Sequence, residues 1–217
     1  MLSNLLYVFF PNRCLKCKEE LLGRENYLCT FCSAELKPMY YGPIHFELLG
    51  NIPCFGLYRY EELSAIQVLI HHLKYQQKKH IGIELGYLLA NSIPVADRPE
   101  LLIPVPITSQ KRWSRGYNQS EWICKGFKAC TKVPVQNELF QRIKHTESQT
   151  RLSKLARRNN VEGAFALAQS IPVGIHHVGI VDDVITTGAT LQQVVKSFAE
   201  HYPNLRITIF ATAIANH

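Results

Sequence analysis

The sequence predicts an α/β protein, a parallel sheet flanked by helices, preceded by a small cysteine-rich unit. The apolar runs Leu101–Val105 and Val178–Val181 have the length of buried strands, and each is followed by a polar turn and a helical pattern. Two C-x-x-C pairs near the amino terminus predict the smaller unit. The 217 residues, 47% of them apolar, suffice for one packed domain and this unit, and we divide the chain into residues 1–53 and 54–217.

The amino-terminal unit is predicted to be a zinc ribbon. Cys14/Cys17 and Cys29/Cys32 form two pairs eleven residues apart, which supply four thiolates, the ligand set of a closed structural zinc site. Haem attachment is excluded because no His follows either pair, and the β-α pattern around a thioredoxin-like redox pair is absent. An iron–sulfur cluster remains an alternative. The other three cysteines are expected to be core or surface thiols: Cys54, Cys124 and Cys130.

The sequence shows no secretory signal or membrane span, and we expect a cytoplasmic protein. The apolar stretch Leu5–Phe10 lacks a basic flank, is too short to cross a bilayer and runs into Pro11. We expect it to pack on the cysteine unit. An odd number of cysteines, seven, without a secretory signal predicts a reducing compartment.

Periodicity predicts the remaining elements of residues 54–217. Strands are expected at Phe55–Tyr60, Leu101–Val105, Glu138–Phe140, Val178–Val181 and Arg206–Ala213, with Gly163–Phe165 returning to the sheet. Helices are expected at Leu63–Leu73, Ile81–Ser92, Ser120–Cys130 and Leu191–Phe198, and a loop at Pro94–Pro99.

The segment His177–Leu191, HVGIVDDVITTGATL, carries the candidate binding site. Its strand is predicted to end at the adjacent acids Asp182 and Asp183, which need a positive or hydrogen-bonding partner if they are buried. A turn and a helix start follow, where free amides and the helix dipole favour a phosphate. The residues of this turn are Thr186, Thr187, Gly188, Ala189 and Thr190. The alternative is an ordinary strand, turn and helix with solvated acids. A P-loop is disfavoured because no GKS or GKT triplet occurs.

This segment resembles the motif that binds 5-phosphoribosyl-1-pyrophosphate (PRPP) in type I phosphoribosyltransferases. The resemblance implies that Asp182 and Asp183 are the catalytic pair that holds the ribose hydroxyls, and that residues 186–190 hold the 5′-phosphate, with Mg²⁺ bound alongside PRPP. The run Ile103–Ser109 resembles the pyrophosphate loop of amidophosphoribosyltransferases, although taken alone it also fits a proline-stiffened turn. The basic stretch 142–160 resembles the loop that closes over PRPP. Candidates for the pyrophosphate side are Lys74, Pro106, Thr108, Ser109, Arg115, Arg142 and Arg157.

Positive charge is concentrated in one segment. The net charge is +7, yet residues 1–53 hold five basic and five acidic side chains, whereas Lys111–Arg158 holds twelve Lys and Arg against three Glu. Such a block either meets an anion, pyrophosphate or nucleic acid, or is a solvated surface. The aromatic residues interleaved with these cations could stack on the bases of single-stranded nucleic acid. Candidates for nucleic-acid contact are Lys111, Arg112, Trp113, Arg115, Lys154 and Arg158, whereas Trp122 fits the core side of its helix better.

The order of motifs along the whole chain resembles the ComF family of bacterial competence proteins. The motifs are the two cysteine pairs, His-Leu-Lys74-Tyr, Pro104-Val-Pro106, Arg115-Gly-Tyr-Asn-Gln119, Gln149, Arg158-Asn-x-Val161, Gly163-Ala-Phe165 and DDVITTG. Tyr117 stands where the family often has Phe, which keeps an aromatic ring.

This resemblance implies a zinc ribbon fused to a type I phosphoribosyltransferase fold, and a role in DNA uptake during natural transformation. One hypothesis is a PRPP-binding protein that handles single-stranded DNA, with a competence helicase or another uptake protein as partner and no membrane contact. The alternative is an active phosphoribosyltransferase that acts on a nucleobase or another amine acceptor and has no DNA role.

Overall fold

A four-stranded parallel sheet forms the centre of the molecule. The computed structural model describes residues 12–39, 43–142 and 165–215. The strands lie in the order β1 (Cys54–Tyr60), β6 (Arg206–Ala215), β5 (His177–Ile185) and β2 (Leu101–Pro104), and each neighbouring pair is parallel. With the helices around it and the cysteine unit before it, this sheet confirms the predicted fold class.

Six α-helices accompany the strands in the described part of the chain. They are α1 (Thr30–Ala34), α2 (Ala65–Tyr75), α3 (Lys79–Ser92), α4 (Ser109–Arg115), α5 (Gln119–Thr131) and α6 (Ala189–His201). The four longest confirm the predicted helices. Helix α4, with seven residues, is too short to show a period and was missed. The predicted loop Pro94–Pro99 contains a 3₁₀ turn at Val95–Asp97.

The helices cover both faces of the sheet because successive strand residues point to opposite sides. On one face, Ile66 and Leu73 of α2 share a core with Val181 and Phe210. On the other face, Phe198 of α6 shares a core with the strand residues Ile180 and Ile209. The middle strands β5 and β6 are therefore buried on both sides, which accounts for their nearly continuous apolar sequence.

Helices α3 and α5 approach each other closely through two glycines. A Cβ added to Gly86 would lie 2.0 Å from the carbonyl oxygen of Ile123, and one added to Gly126 would lie 1.9 Å from that of Ile83. Backbone therefore packs directly on backbone at this crossing, which fixes how α5 is placed over the sheet.

Gly163–Phe165 is predicted to return to the main sheet. For Phe165, the part of this segment that the structure describes, this prediction is wrong. Residues Phe165–Leu167 form β4, which pairs antiparallel with β3 (Phe140–Arg142) in a separate two-stranded ribbon. The strand predicted at Glu138–Phe140 corresponds to β3, which begins at Phe140, two residues later than expected. Residues 134–136 occupy the outer edge of β2 through bonds to the backbone of Leu102, so this edge is closed to the ribbon.

The amino-terminal unit packs on α2 and α3. Cys14, Leu21 and Leu28 belong to the same buried cluster as Leu69 and Ile81. The boundary after residue 53 stays a prediction. Among the described residues, no helix is long and apolar enough to cross a membrane.

Candidate functional site

Asp182 and Asp183 lie near the carboxyl end of β5, inside the strand rather than after it. The sequence interpretation ended this strand at Val181, but β5 continues to Ile185. The reason is that apolar residues resume at Val184 and Ile185, whose partners in β6 are Ala213 and Ile214. Both acids are therefore held by a rigid strand.

Asp183 is paired with a lysine from a different element. Nζ of Lys74, in the last turn of α2, lies 2.9 Å from Oδ1 of Asp183, and the two side chains are 21% and 11% exposed. The hydroxyl of Thr212 on β6 donates to the backbone carbonyl of Asp183 at 2.6 Å. The sequence predicts Lys74 on the pyrophosphate side; in the structure its ammonium group neutralises Asp183.

Asp182 has hydrogen-bond donors but no ion pair of its own among the described side chains. Its Oδ1 accepts from the Ser120 hydroxyl at 3.3 Å and from the Asp183 amide at 2.8 Å. Burial, and then the charge of Asp183, raises the pKa of Asp182 to about 7, against the lowering effect of these bonds and of Lys74. Near neutral pH this carboxyl group can therefore either hold or accept a proton.

The hydroxyl-rich turn follows β5 directly. Gly188 adopts a left-handed conformation with φ of 76° and is the N-cap of α6. Because glycine has no side chain, it cannot cap the amides of the first helical turn, and the Ala189 amide donates instead to the Thr187 hydroxyl at 3.4 Å. Thr186, Thr187, Ala189 and Thr190 are exposed around this turn. The predicted phosphate-binding residues thus surround a helix N-terminus beside the acid pair.

The second predicted loop leaves the sheet at the same edge. β2 is parallel to β5, and the amide of Val105 bonds to the carbonyl of Val181 at 2.9 Å. Pro106 follows, and Thr108 then caps α4 by accepting from the amide of Lys111 at 3.0 Å. Ser109 is the first residue of α4. The Thr108 hydroxyl is engaged in this cap, so the role of this loop toward pyrophosphate stays a prediction.

Arg115 contacts α2 and α5 rather than the acids. Its Nη1 donates to Oε1 of Gln119 at 3.0 Å and its Nη2 to the Tyr75 hydroxyl at 3.4 Å. Its guanidinium also lies over the Tyr75 ring, 5.2 Å from the centroid. Arg115 is thus held against Tyr75, the residue that follows Lys74 in α2.

The segment after Arg115 joins three parts of the site. The Tyr117 hydroxyl donates to the carbonyl of Leu73 in α2, and Nδ2 of Asn118 donates to the carbonyl of Val105 at 2.9 Å. Ser120 then reaches Asp182. The structure thus identifies Ser120 as a site residue that the sequence reasoning missed. The sequence gives little indication of this role, because a serine in the first turn of a helix is common. Whether such a serine is buried depends on tertiary packing.

The remaining candidates are dispersed or lie outside the described residues. Trp113 on α4 is 89% exposed, whereas Arg112 forms an ion pair with Glu121. Lys111 is exposed on the same short helix. Trp122 packs partly against the core, as expected. Outside the described residues lie Lys154, Arg157 and Arg158, together with the side chain of Arg142.

The four cysteines of the amino-terminal unit converge. The sulfurs of Cys14, Cys17, Cys29 and Cys32 all lie within 4.8 Å of one another, and three of these residues are buried. Although burial raises the pKa of Cys14, hydrogen bonds from the amides of Cys29, Cys17 and Lys16 outweigh it and bring the pKa to about 6. Four such thiols at these distances fit a tetrahedral metal such as zinc. In the described residues no other His, Cys, Asp and Glu side chains form such a group.

Comparison with known proteins gives clear sequence relatives. The chain is 33% identical over 212 residues to competence protein F of Haemophilus influenzae, covering 87% of this chain and 91% of that protein. It is 33% identical over 132 residues to the DNA utilization protein YhgH of Escherichia coli K12, which spans 58% of this chain and 57% of the relative. No protein-family model matches the chain.

Solved structures give only distant likenesses. The glutamine PRPP amidotransferase of B. subtilis, complexed with ADP and GMP, matches with 16% identity and a TM-score of 0.44, over 65% of this chain and 30% of that chain. The adenine phosphoribosyltransferase of Leishmania donovani matches with 13% identity and a TM-score of 0.35, over 90% and 83%. Likenesses at this level assign no reaction.

Proposed function

Because the chain belongs to the competence protein F family, we propose that it binds PRPP at the Asp182–Asp183 site and takes part in DNA handling during natural transformation. The names of its relatives, a competence protein and a DNA utilization protein, support the biological role. The chemistry rests on the residues of the site.

One observation carries the PRPP assignment: an acid pair stands beside a helix N-terminus that begins with a left-handed glycine. Carboxylates suit the paired ribose hydroxyls, since they accept hydrogen bonds only. The positive end of the α6 helix dipole and the threonines of the turn suit the 5′-phosphate. Asp182 and Gly188 are six positions apart along a strand and a tight turn, which brings both groups to one edge of the sheet.

The cations around the acids suit the rest of the ligand. Lys74 pairs with Asp183, and Arg115 lies over the ring of Tyr75, the next residue of α2. On binding, a pyrophosphate group would compete with Asp183 for the Lys74 ammonium. Carboxylate oxygens fit Mg²⁺, which when bound with PRPP would offset the charge of the pyrophosphate. We further propose that the four-cysteine cluster holds one structural Zn²⁺, which would supply part of the folding energy of its small unit.

The test is calorimetry with PRPP and Mg²⁺ on the wild type and on Asp182→Asn and Asp183→Asn. We expect both variants to lose at least about tenfold in affinity, since each removes a charged acceptor from the ribose hydroxyls. Asp97→Asn is the matched control, because Asp97 pairs with Arg206 at the amino end of the strands, away from the site. Equal binding by the wild type and both site variants would reject the assignment.

The raised pKa of Asp182 favours a second candidate function, an active phosphoribosyltransferase. A carboxyl group with a pKa of about 7 can take a proton from a nitrogen nucleophile at neutral pH. The test is pyrophosphate release from PRPP with nucleobases, nucleotides and short oligonucleotides as acceptors. Release that is lost in Asp182→Asn would establish turnover, and no release with any of these acceptors would leave a binding protein.

A further inference from the structure

The connection between α2 and α3 forms, together with α5, a basic and aromatic surface outside the acid pair. We call it the junction surface and define it by Tyr75, Lys78, Lys79, Arg115, Trp122 and Lys125. Apart from Arg115, none of these residues was a candidate for nucleic-acid contact from sequence.

The charge of the junction surface is positive and locally uncompensated. Residues 71–83 contain three lysines and no Asp or Glu. Lys74 is taken up by Asp183, whereas Lys78 is exposed. The nearest acid on α5, Glu121, is itself paired with Arg112. A polyanion approaching this side of the molecule would therefore meet Lys78, Lys79 and Lys125, while Glu121 is already paired with Arg112.

Aromatic rings hold two of the cations in fixed positions. Nζ of Lys125 lies 3.7 Å from the centroid of the Trp122 ring, and Nζ of Lys79 lies 5.3 Å from the same ring and 5.1 Å from that of Tyr117. Such contacts favour the observed rotamers of long, flexible side chains. Less conformational entropy is then lost when these ammonium groups bind an anion such as a phosphate.

The other end of the surface presents a stack that suits an unpaired base. The Tyr75 side chain is 57% exposed and carries the Arg115 guanidinium over its ring at 5.2 Å. The His71 ring lies 5.0 Å from that of Tyr75. Bases that are free of a duplex stack on aromatic rings and on guanidinium planes, whereas bases within a duplex do not offer their faces.

The two ends belong to one continuous surface. Residues 76–78, which connect Tyr75 to Lys79, are exposed, and Nζ of Lys79 lies 5.3 Å from the centroid of the Trp122 ring on α5. Phosphate-directed cations and a stacking face thus stand side by side. We propose that the junction surface binds single-stranded nucleic acid, with Lys79 and Lys125 on phosphates and the Tyr75–Arg115 stack on a base. This inference rests on the proposed role in DNA handling and gives that role a site.

The location also relates the bound strand to the acid pair. Tyr75 of the stack follows Lys74, whose ammonium group contacts Asp183. A strand on the junction surface would therefore contact the same end of α2 as the proposed PRPP site, and Arg115 would be available to either ligand.

The test measures the affinity of the full chain for a fluorescently labelled oligothymidylate by anisotropy over a range of salt concentrations. Lys79→Gln/Lys125→Gln should weaken binding about tenfold near 0.1 M salt and reduce the salt slope by roughly 1.4, since each lost phosphate contact on a single strand removes about 0.7. Tyr75→Ala should weaken binding about fivefold or more at every salt concentration, with the slope retained.

Matched variants control for charge and for loss of a tyrosine. Lys128→Gln/Lys132→Gln removes two lysines from the far end of α5, and Tyr87→Ala removes an exposed tyrosine from α3. Both should bind as the wild type does. The proposal is overturned if the wild type does not bind the oligonucleotide, if the controls weaken binding as much as the junction variants, or if a duplex binds with the same dependence on Tyr75.

PRPP calorimetry on the same proteins separates this inference from the proposed PRPP site. Lys79→Gln/Lys125→Gln should bind PRPP like the wild type while losing affinity for the oligonucleotide. Asp183→Asn should show the reverse. If the wild type binds only one of the two ligands, the proposal for the other ligand fails while the first one stands.

Discussion

Nζ of Lys74 lies 2.9 Å from Oδ1 of Asp183, which joins the last turn of α2 to the carboxyl end of the central strand β5. Asp182 stands next to this ion pair with a raised pKa. One cation thus serves two adjacent acids, and the charge balance of the site depends on a single side chain.

Lys74→Met should lower the free energy of unfolding by about 2 kcal/mol at neutral pH, because it leaves Asp183 partly buried without a counter-charge. Urea unfolding monitored by circular dichroism measures this loss. Lys74→Met/Asp183→Asn, which also removes the stranded charge, should recover most of it. An unchanged stability of the single variant would show that the ion pair contributes nothing.

Asp182→Asn should change how stability depends on pH. The unfolded chain releases this proton near pH 4, whereas the folded protein keeps it to about pH 7, so the folded state binds more protons in between. The contribution of Asp182 is therefore most favourable below about pH 4 and is lost as the pH rises through about 7. The Asp182→Asn variant, whose side chain carries no charge, should be more stable than the wild type at about pH 8, by up to about 4 kcal/mol.

Urea titrations of both proteins across this pH range measure the effect. The difference between Asp182→Asn and the wild type should shrink toward zero near pH 4. Parallel curves for the two proteins at all pH values would contradict the raised pKa.

Cys17→Ser should release the metal that we propose for the cysteine cluster and lower the melting temperature of the protein. Three of the four cysteines are buried, and Cys14, Cys29 and Cys32 share a core with α2 and α3, so loosening them affects more than the amino-terminal unit. Mass spectrometry under native conditions measures metal content, with one Zn²⁺ expected for each wild-type chain. Cys130→Ser, outside the cluster, should keep the metal; a metal-free wild type would refute the assignment.

Gly126→Ala and Gly86→Ala should each destabilise the protein by about 3 kcal/mol or more, although alanine favours helices by about 1 kcal/mol over glycine. The added methyl groups would lie 1.9 and 2.0 Å from backbone carbonyl oxygens, which cannot move without separating α3 from α5. Gly82→Ala is the graded control, since its methyl would meet the Trp122 side chain at 3.0 Å. In thermal unfolding, Gly82→Ala should have a clearly higher melting temperature than Gly86→Ala and Gly126→Ala. Equal melting temperatures of the three variants would show that α3 and α5 can separate at little cost.

The sequence was sufficient where local chemistry decides the structure. The apolar run before Asp182, the spacing of the four cysteines and the 3.6-residue period of α2 predicted the strand, the cysteine cluster and the helix. Burial and partners depended on tertiary packing instead. Ser120 reaches Asp182, and Lys74 reaches Asp183, across sequence separations of 62 and 109 residues. The placement of β4 failed for a related reason, because the closure of the β2 edge by residues 134–136 is a long-range pairing without a local pattern.

The packing of Leu21 and Leu28 against Leu69 and Ile81 has a practical consequence for dissecting the molecule. A fragment that starts at Cys54 would leave the apolar sides of α2 and α3 facing water, and such a surface favours aggregation. Point substitutions in the intact chain are therefore better suited than truncation to separating what the cysteine-bearing segment does from what the sheet does.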